Sequence, residues 1–184
     1  MSDAVSTSMF FDSAHMTYWG QLGAYMSIGL ASFGSSFGAA AASLSAAGAW
    51  KKCALQNRPA PFQLVIFAGS PISQTIYGMI VMFLINNTAM KIPGAWLFLL
   101  VLGLTTGILL GLSAWLMGKY AASACDAFGE TGKGFTNYLI LLGIIETVAI
   151  FVFAFAAVLL ASLKGPELVS AAASAAAAVV PAVH

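Results

Sequence analysis

The stretch from Phe135 to Leu163, "FTNYLILLGIIETVAIFVFAFAAVLLASL", contains a single charged residue, Glu146. A run of about 20 apolar residues is long enough to cross a bilayer as a helix. Its one carboxylate is costly there, at roughly 2.5–3.5 kcal/mol on insertion scales. A span this apolar therefore predicts a membrane helix with a functional acid in it.

The rest of the chain agrees. It is 60% hydrophobic and 7% charged, with a mean hydropathy of +0.93. So few charges cannot cover the surface of a soluble protein of this size, which predicts an integral membrane protein embedded in the lipid bilayer. The net charge of +1 offers nothing to nucleic acid. Cys53 and Cys125 have no metal-ligand spacing and lie beside basic loops, so reduced thiols are expected. The polar first 17 residues carry no basic region of the kind that opens a cleaved signal peptide.

The pattern predicts an all-α fold of four transmembrane helices: Tyr18–Ala47, Phe62–Ile85, Ile92–Lys119 and Thr136–Leu163. "WKKCALQNRPAP", "NNTAMK" and "YAASACDAFGETGKG" read as connections, because Pro, Asn, Gly and charge suit turns and helix ends. The chain divides into an N-terminal tail (1–17), a first helical hairpin (18–88), a second (89–163) and an Ala-rich C-terminal tail (164–184), whose composition specifies no packing partner. Lys51, Lys52, Arg58 and Lys133 lie in the first and third connections, with Lys119 at the adjoining helix end. The other side has Lys91 and Lys164 with Asp3, Asp12 and Glu167. The positive-inside rule puts the loops between helices one and two and between three and four in the cytoplasm, and both termini outside.

The two halves repeat at an offset of 72 residues without a gap. Cys53 falls on Cys125, Leu44 on Leu116, Ile72 on Ile144, Thr75 on Thr147 and Phe83 on Phe155. Ala31, Ser35, Ala39, Ala42 and Ala46 fall on Gly103, Gly107, Gly111, Ala114 and Gly118. Both series are stripes of small residues, which let helix backbones approach closely where lipid supplies no hydrophobic drive. The same offset places Gln74 on Glu146, so one position is polar twice and ionisable once. At about ten residues into its helix, Glu146 lies some 15 Å deep, near the midplane.

Intramembrane acids are functional by default, although one held neutral between two helices can be purely structural. Burial penalises the charged form, so Glu146 should take up a proton when facing lipid and release it beside water or a fixed cation. Ser73, Gln74 and Tyr77 supply hydroxyl and amide groups within one turn. Pro71 removes a backbone donor and loosens carbonyls around Phe67 to Ser70. Thr147 is expected to bond its own helix backbone.

The span from Tyr18 to Leu163 resembles the duplicated four-helix proteolipid (the K or c component) of V-type and A-type rotary ATPases. The features that carry the resemblance are the paired hairpins, the small-residue stripes on helices one and three, "PISQTIYG" at 71–78, "LMGKYAA" at 116–122 and "IIETVAIF" at 144–151. It implies a non-catalytic rotor subunit in a ring of identical copies, set in a cell membrane of the prokaryotic type. Helices one and three would line the inside of that ring and Glu146 would carry the ion. The partners it implies are a stator membrane subunit supplying an arginine and the central-stalk subunits. ATP hydrolysis would occur on another polypeptide of the complex.

In sodium-carrying relatives the pattern has a hydroxyl residue, a glutamine and a tyrosine on helix two, matched by Ser73, Gln74 and Tyr77. Ser70 matches the residue that lends a backbone carbonyl. The pattern's glutamine on helix three is replaced by Met117, and a thioether is a poor ligand for a hard cation. The expected cargo is therefore H+, with Na+ at the same residues as the alternative, and no cofactor. One acid per four helices means fewer ions per turn, each driven against a steeper gradient at about 2.3 kcal/mol per charge per 100 mV. That arrangement suits a pump.

Two other readings remain. A proton-coupled secondary transporter can also contain repeats and a lone membrane acid, but Glu146 is flanked by Ile, Val, Ala and Gly, while Trp19, Trp50, Trp96 and Trp115 lie towards helix ends. A structural component of a membrane complex would not need Glu146 to titrate. His15 and His184, in the tails, read as solvated residues. Nothing resembles a nucleophile with its base, a phosphate loop or a cofactor motif.

Overall fold

The computed structural model describes residues 12–163, and every regular element among them is helical. The first helix, α1, runs Ser13–Leu55. A short helix α2 (Leu64–Gly69) passes through a 3₁₀ turn at Ser70–Ile72 into α3 (Ser73–Lys91). A second 3₁₀ turn, Pro93–Ala95, leads into α4 (Trp96–Thr131), and α5 covers Phe135–Ser162.

The helices outrun the expected spans. α1 begins at Asp12, whose carboxylate caps it by accepting from the Ser13 amide at 2.8 Å. At its far end it absorbs Trp50 to Leu55, because Ala, Lys and Leu are strong helix formers even when wet. For the same reason α4 continues through the segment read as the third connection. That connection shrinks to the residues around Gly132 and Gly134, both left-handed at φ 63° and 81°. "NNTAMK" is likewise helical, and the break comes at Ile92 before Pro93, where the ring excludes a helical residue.

Three helical segments are long and apolar enough to cross a membrane: Leu64–Lys91, Pro93–Thr131 and Phe135–Ser162. α1 is long enough, at 43 residues, but is not among them. Its Gly, Ala and Ser carry little hydropathy, so the expected fourth span rests on length alone. The N-terminal residues 1–11 and the tail 164–184, with His184, Lys164 and Glu167, lie outside the described residues.

α1 and α4 form the closest pair. A Cβ added to Gly103 would meet the Gly23 carbonyl oxygen, one on Gly34 would meet Gly111, and one on Gly118 would meet the Gly38 backbone. Such backbone-to-backbone approach is possible only without side chains, and it maximises dispersion contact where lipid gives no other drive. The α1 stripe serves two neighbours. Ala31 turns instead towards α3, where its Cβ lies 2.8 Å from the position a Cβ on Gly78 would take.

α5 packs on α4 and α3 and leaves much of its surface outward, with Ile140, Ile144, Val148, Phe151 and Phe155 exposed. At the polar end, Lys52 bridges Asp126 at 3.3 Å and Glu130 at 2.8 Å, while Arg58 Nη1 donates to the Glu130 carbonyl at 3.0 Å. These contacts tie the end of α1 to the end of α4. Cys53 and Cys125 are buried free thiols, and His15 stands exposed against the edge of Tyr18.

Candidate functional site

Pro71 is buried against α1, its Cβ 3.0 Å from where a Cβ on Gly38 would stand. The ring interrupts regular α-helical bonding and produces the 3₁₀ turn. Serine hydroxyls take up the loosened carbonyls. Ser70 Oγ donates to the Phe67 carbonyl at 2.8 Å, and Ser73 Oγ donates to the Ser70 carbonyl at 3.1 Å. This local tightening sets the direction in which α3 leaves the turn, and with it the placement of Gln74 and Tyr77.

Gln74 is wholly buried. Its Nε2 donates to the sulfur of Met117 on α4 at 3.2 Å, and its Oε1 lies 3.2 Å from Ser73 Oγ, which donates to it. Both ends of the amide are therefore engaged. The packing around it is tight: Phe67 and Leu142 are buried in the same cluster as Met117.

One turn further along α3, Tyr77 reaches across to α5. Its Oη donates to Glu146 Oε1 at 2.9 Å. The ring stacks on Phe153, centroids 5.7 Å apart and planes 22° off parallel, so the phenol is held from its face as well as its tip. Glu146 itself is half-buried, on the flank of a helix whose neighbouring residues face outward. Thr147 points away and bonds the Gly143 carbonyl at 2.8 Å.

The five residues expected at the site thus fall into two adjoining groups. Ser70, Ser73 and Gln74 form one, closed by Met117. Tyr77 and Glu146 form the other, backed by Phe153. Sequence reasoning misses Phe153, since one aromatic among several on α5 gives no signal until α3 is placed beside it. A half-exposed carboxylate with one hydroxyl donor can take up and give up a proton with little rearrangement. No group of three or more His, Cys, Asp or Glu suited to a metal ion occurs among the described residues. Oxygens for a monovalent cation would come from Glu146, Tyr77, Ser73 and the Ser70 carbonyl.

The segment that supplies both Met117 and Glu146 also has a counterpart outside this chain. Residues 100–159 match the family model for the C subunit of ATP synthase. The match runs from Leu100 in α4 to Leu159 in α5 and covers about a third of the chain. This part of the protein is therefore similar to the ATP synthase C subunit, with α3 and its polar turn outside the matched residues. No curated protein and no solved structure matches the chain.

Proposed function

We propose that the protein is a membrane rotor-ring subunit of a V/A-type rotary ATPase, each copy of which carries one cation on Glu146. The observation that carries this reading is the Tyr77–Glu146 hydrogen bond in the outward-facing flank of α5, inside the segment similar to the ATP synthase C subunit. A carboxylate placed there can load at one aqueous access, cross the lipid-facing arc neutralised by its cargo, and unload at another. The protein itself performs no bond chemistry.

On this reading α1 is the fourth span, admitted to the membrane by its fit to α4 more than by its own hydropathy. The two hairpins stand side by side, with α1 and α4 towards the ring interior and α3 and α5 towards the rim. The loops bearing Lys52, Arg58 and Lys133 face the cytoplasm and meet the central stalk. The stator contributes the arginine that displaces the cargo from Glu146.

H+ is the favoured cargo, because a single hydroxyl donor at the carboxylate suffices for a proton and falls short of the several oxygens that sodium takes. The arrangement of Ser73 and the Ser70 carbonyl one turn away keeps Na+ as the second reading. Carbodiimide attacks protonated membrane carboxylates. The test is to treat membranes containing the assembled complex with carbodiimide and map the adduct by mass spectrometry. Modification of Glu146 with parallel loss of ion transport supports the proposal. Full transport with Glu146 modified would refute it.

A further inference from the structure

We propose that Met117 is the residue that sets the ion preference of this site, holding Gln74 in a form that cannot serve a metal cation. This rests on the ion-carrier reading of Glu146. Gln74 is fully enclosed, so its amide cannot turn to water for a partner. The nitrogen end is committed to the Met117 sulfur at 3.2 Å and the oxygen end to the Ser73 hydroxyl at 3.2 Å.

Sulfur fixes the outcome in two ways. It accepts the amide hydrogens weakly but orients them, which keeps Gln74 Nε2, a donor repelled by cations, on the α4 side. It also puts a soft, neutral atom where an oxygen could have stood, and soft thioethers bind hard cations poorly. Sodium entering beside Glu146 would then find the carboxylate, a phenol and a serine hydroxyl already bonded elsewhere. A proton needs none of the missing oxygens. The preference thus resides on α4, opposite the carboxylate, in a side chain that never titrates.

Glutamine is close to methionine in length and volume, so Met117→Gln fits the same enclosed space. It replaces the sulfur with an amide whose oxygen can face the site. The test measures the rate of carbodiimide labelling at Glu146 in membranes with sodium or with potassium at equal ionic strength. In the wild type, sodium changes the rate by less than about twofold. In Met117→Gln, saturating sodium slows labelling by about tenfold, as expected when a bound ion competes with the proton at ten times its dissociation constant. Met117→Leu keeps the shape, loses the sulfur and adds no oxygen, so it stays insensitive to sodium.

Sodium protection of the wild type overturns the proposal, whether or not any variant assembles. So does sodium protection in Met117→Leu, or its lack in an assembled Met117→Gln. If Glu146 is not labelled even in the wild type without sodium, the carrier reading itself fails, a result distinct from labelling that ignores sodium throughout.

Discussion

Tyr77 on α3 donates its hydroxyl to Glu146 on α5 at 2.9 Å while its ring stacks on Phe153 one helix face away. The two contacts are separable. Tyr77→Phe keeps the stacked ring and removes only the donor. A hydrogen bond to a charged group contributes about 1.5–3 kcal/mol. The carboxyl should therefore be freed without loss of fold, and carbodiimide labelling of Glu146 should quicken by about tenfold or more. An unchanged rate would mean that the phenol does not restrain the acid.

The α1–α4 seam tolerates no side chain at its crossing points. Gly34→Ala places a methyl against the Gly111 backbone. Overpacking of this kind costs about 1–3 kcal/mol, and the detergent-solubilised protein should melt lower and accumulate poorly in membranes. Gly48, also in α1, has open space around its missing Cβ. Gly48→Ala should be neutral or stabilising by up to about 1 kcal/mol, since alanine is the better helix former. Equal effects at both positions would contradict the close-approach account.

Much of this is legible in the sequence, and the limits have physical causes. Glu146 stands out because nothing else in its span is charged, and Gln74 because the 72-residue offset lays it on Glu146. Tyr77 is visible as a neighbour of Gln74 by helical spacing, but its reach to Glu146 depends on how α3 lies against α5. The small-residue stripe on α1 is visible too, yet nothing in it singles out Gly23, Gly34 and Gly38 as the closest points. Steps of four and three drift around a helix of 3.6 residues per turn, so one stripe meets two neighbours. Helix ends are harder to place because Asn and charge disfavour a helix only mildly, whereas Pro93, Gly132 and Gly134 stop it.

Both cysteines should be silent in the folded protein. Cys53 and Cys125 are buried to 1% and 0% exposure, and their sulfurs lie against the Gly129 and Leu64 carbonyls. Maleimide added to native membranes should modify neither, and both should react after denaturation in dodecyl sulfate. Rapid labelling of either thiol before denaturation would show that the α1–α4 cytoplasmic end is open.

The Lys52 clasp has a defined pH window. The hydrogen bond to Glu130, then that to Asp126, and the charges of both hold its pKa above the ordinary lysine value. A group raised on folding stabilises fully below its unfolded pKa and loses that contribution as pH climbs through the folded one. Melting curves of wild type and Lys52→Ala should differ by a small, constant gap at neutral pH that closes in strong alkali. Salt should shrink the gap too, because the pair is exposed. A gap that persists at high pH and high salt would assign Lys52 a packing role instead.

The most direct test of the whole account is ion transport by vesicles containing the assembled complex with Glu146→Gln. The substitution keeps the size and polarity of the side chain, and Tyr77 retains an oxygen to which it can donate, while the exchangeable charge is gone. The account predicts an assembled complex with no ATP-driven ion uptake at any pH. Uptake at the wild-type rate would contradict it.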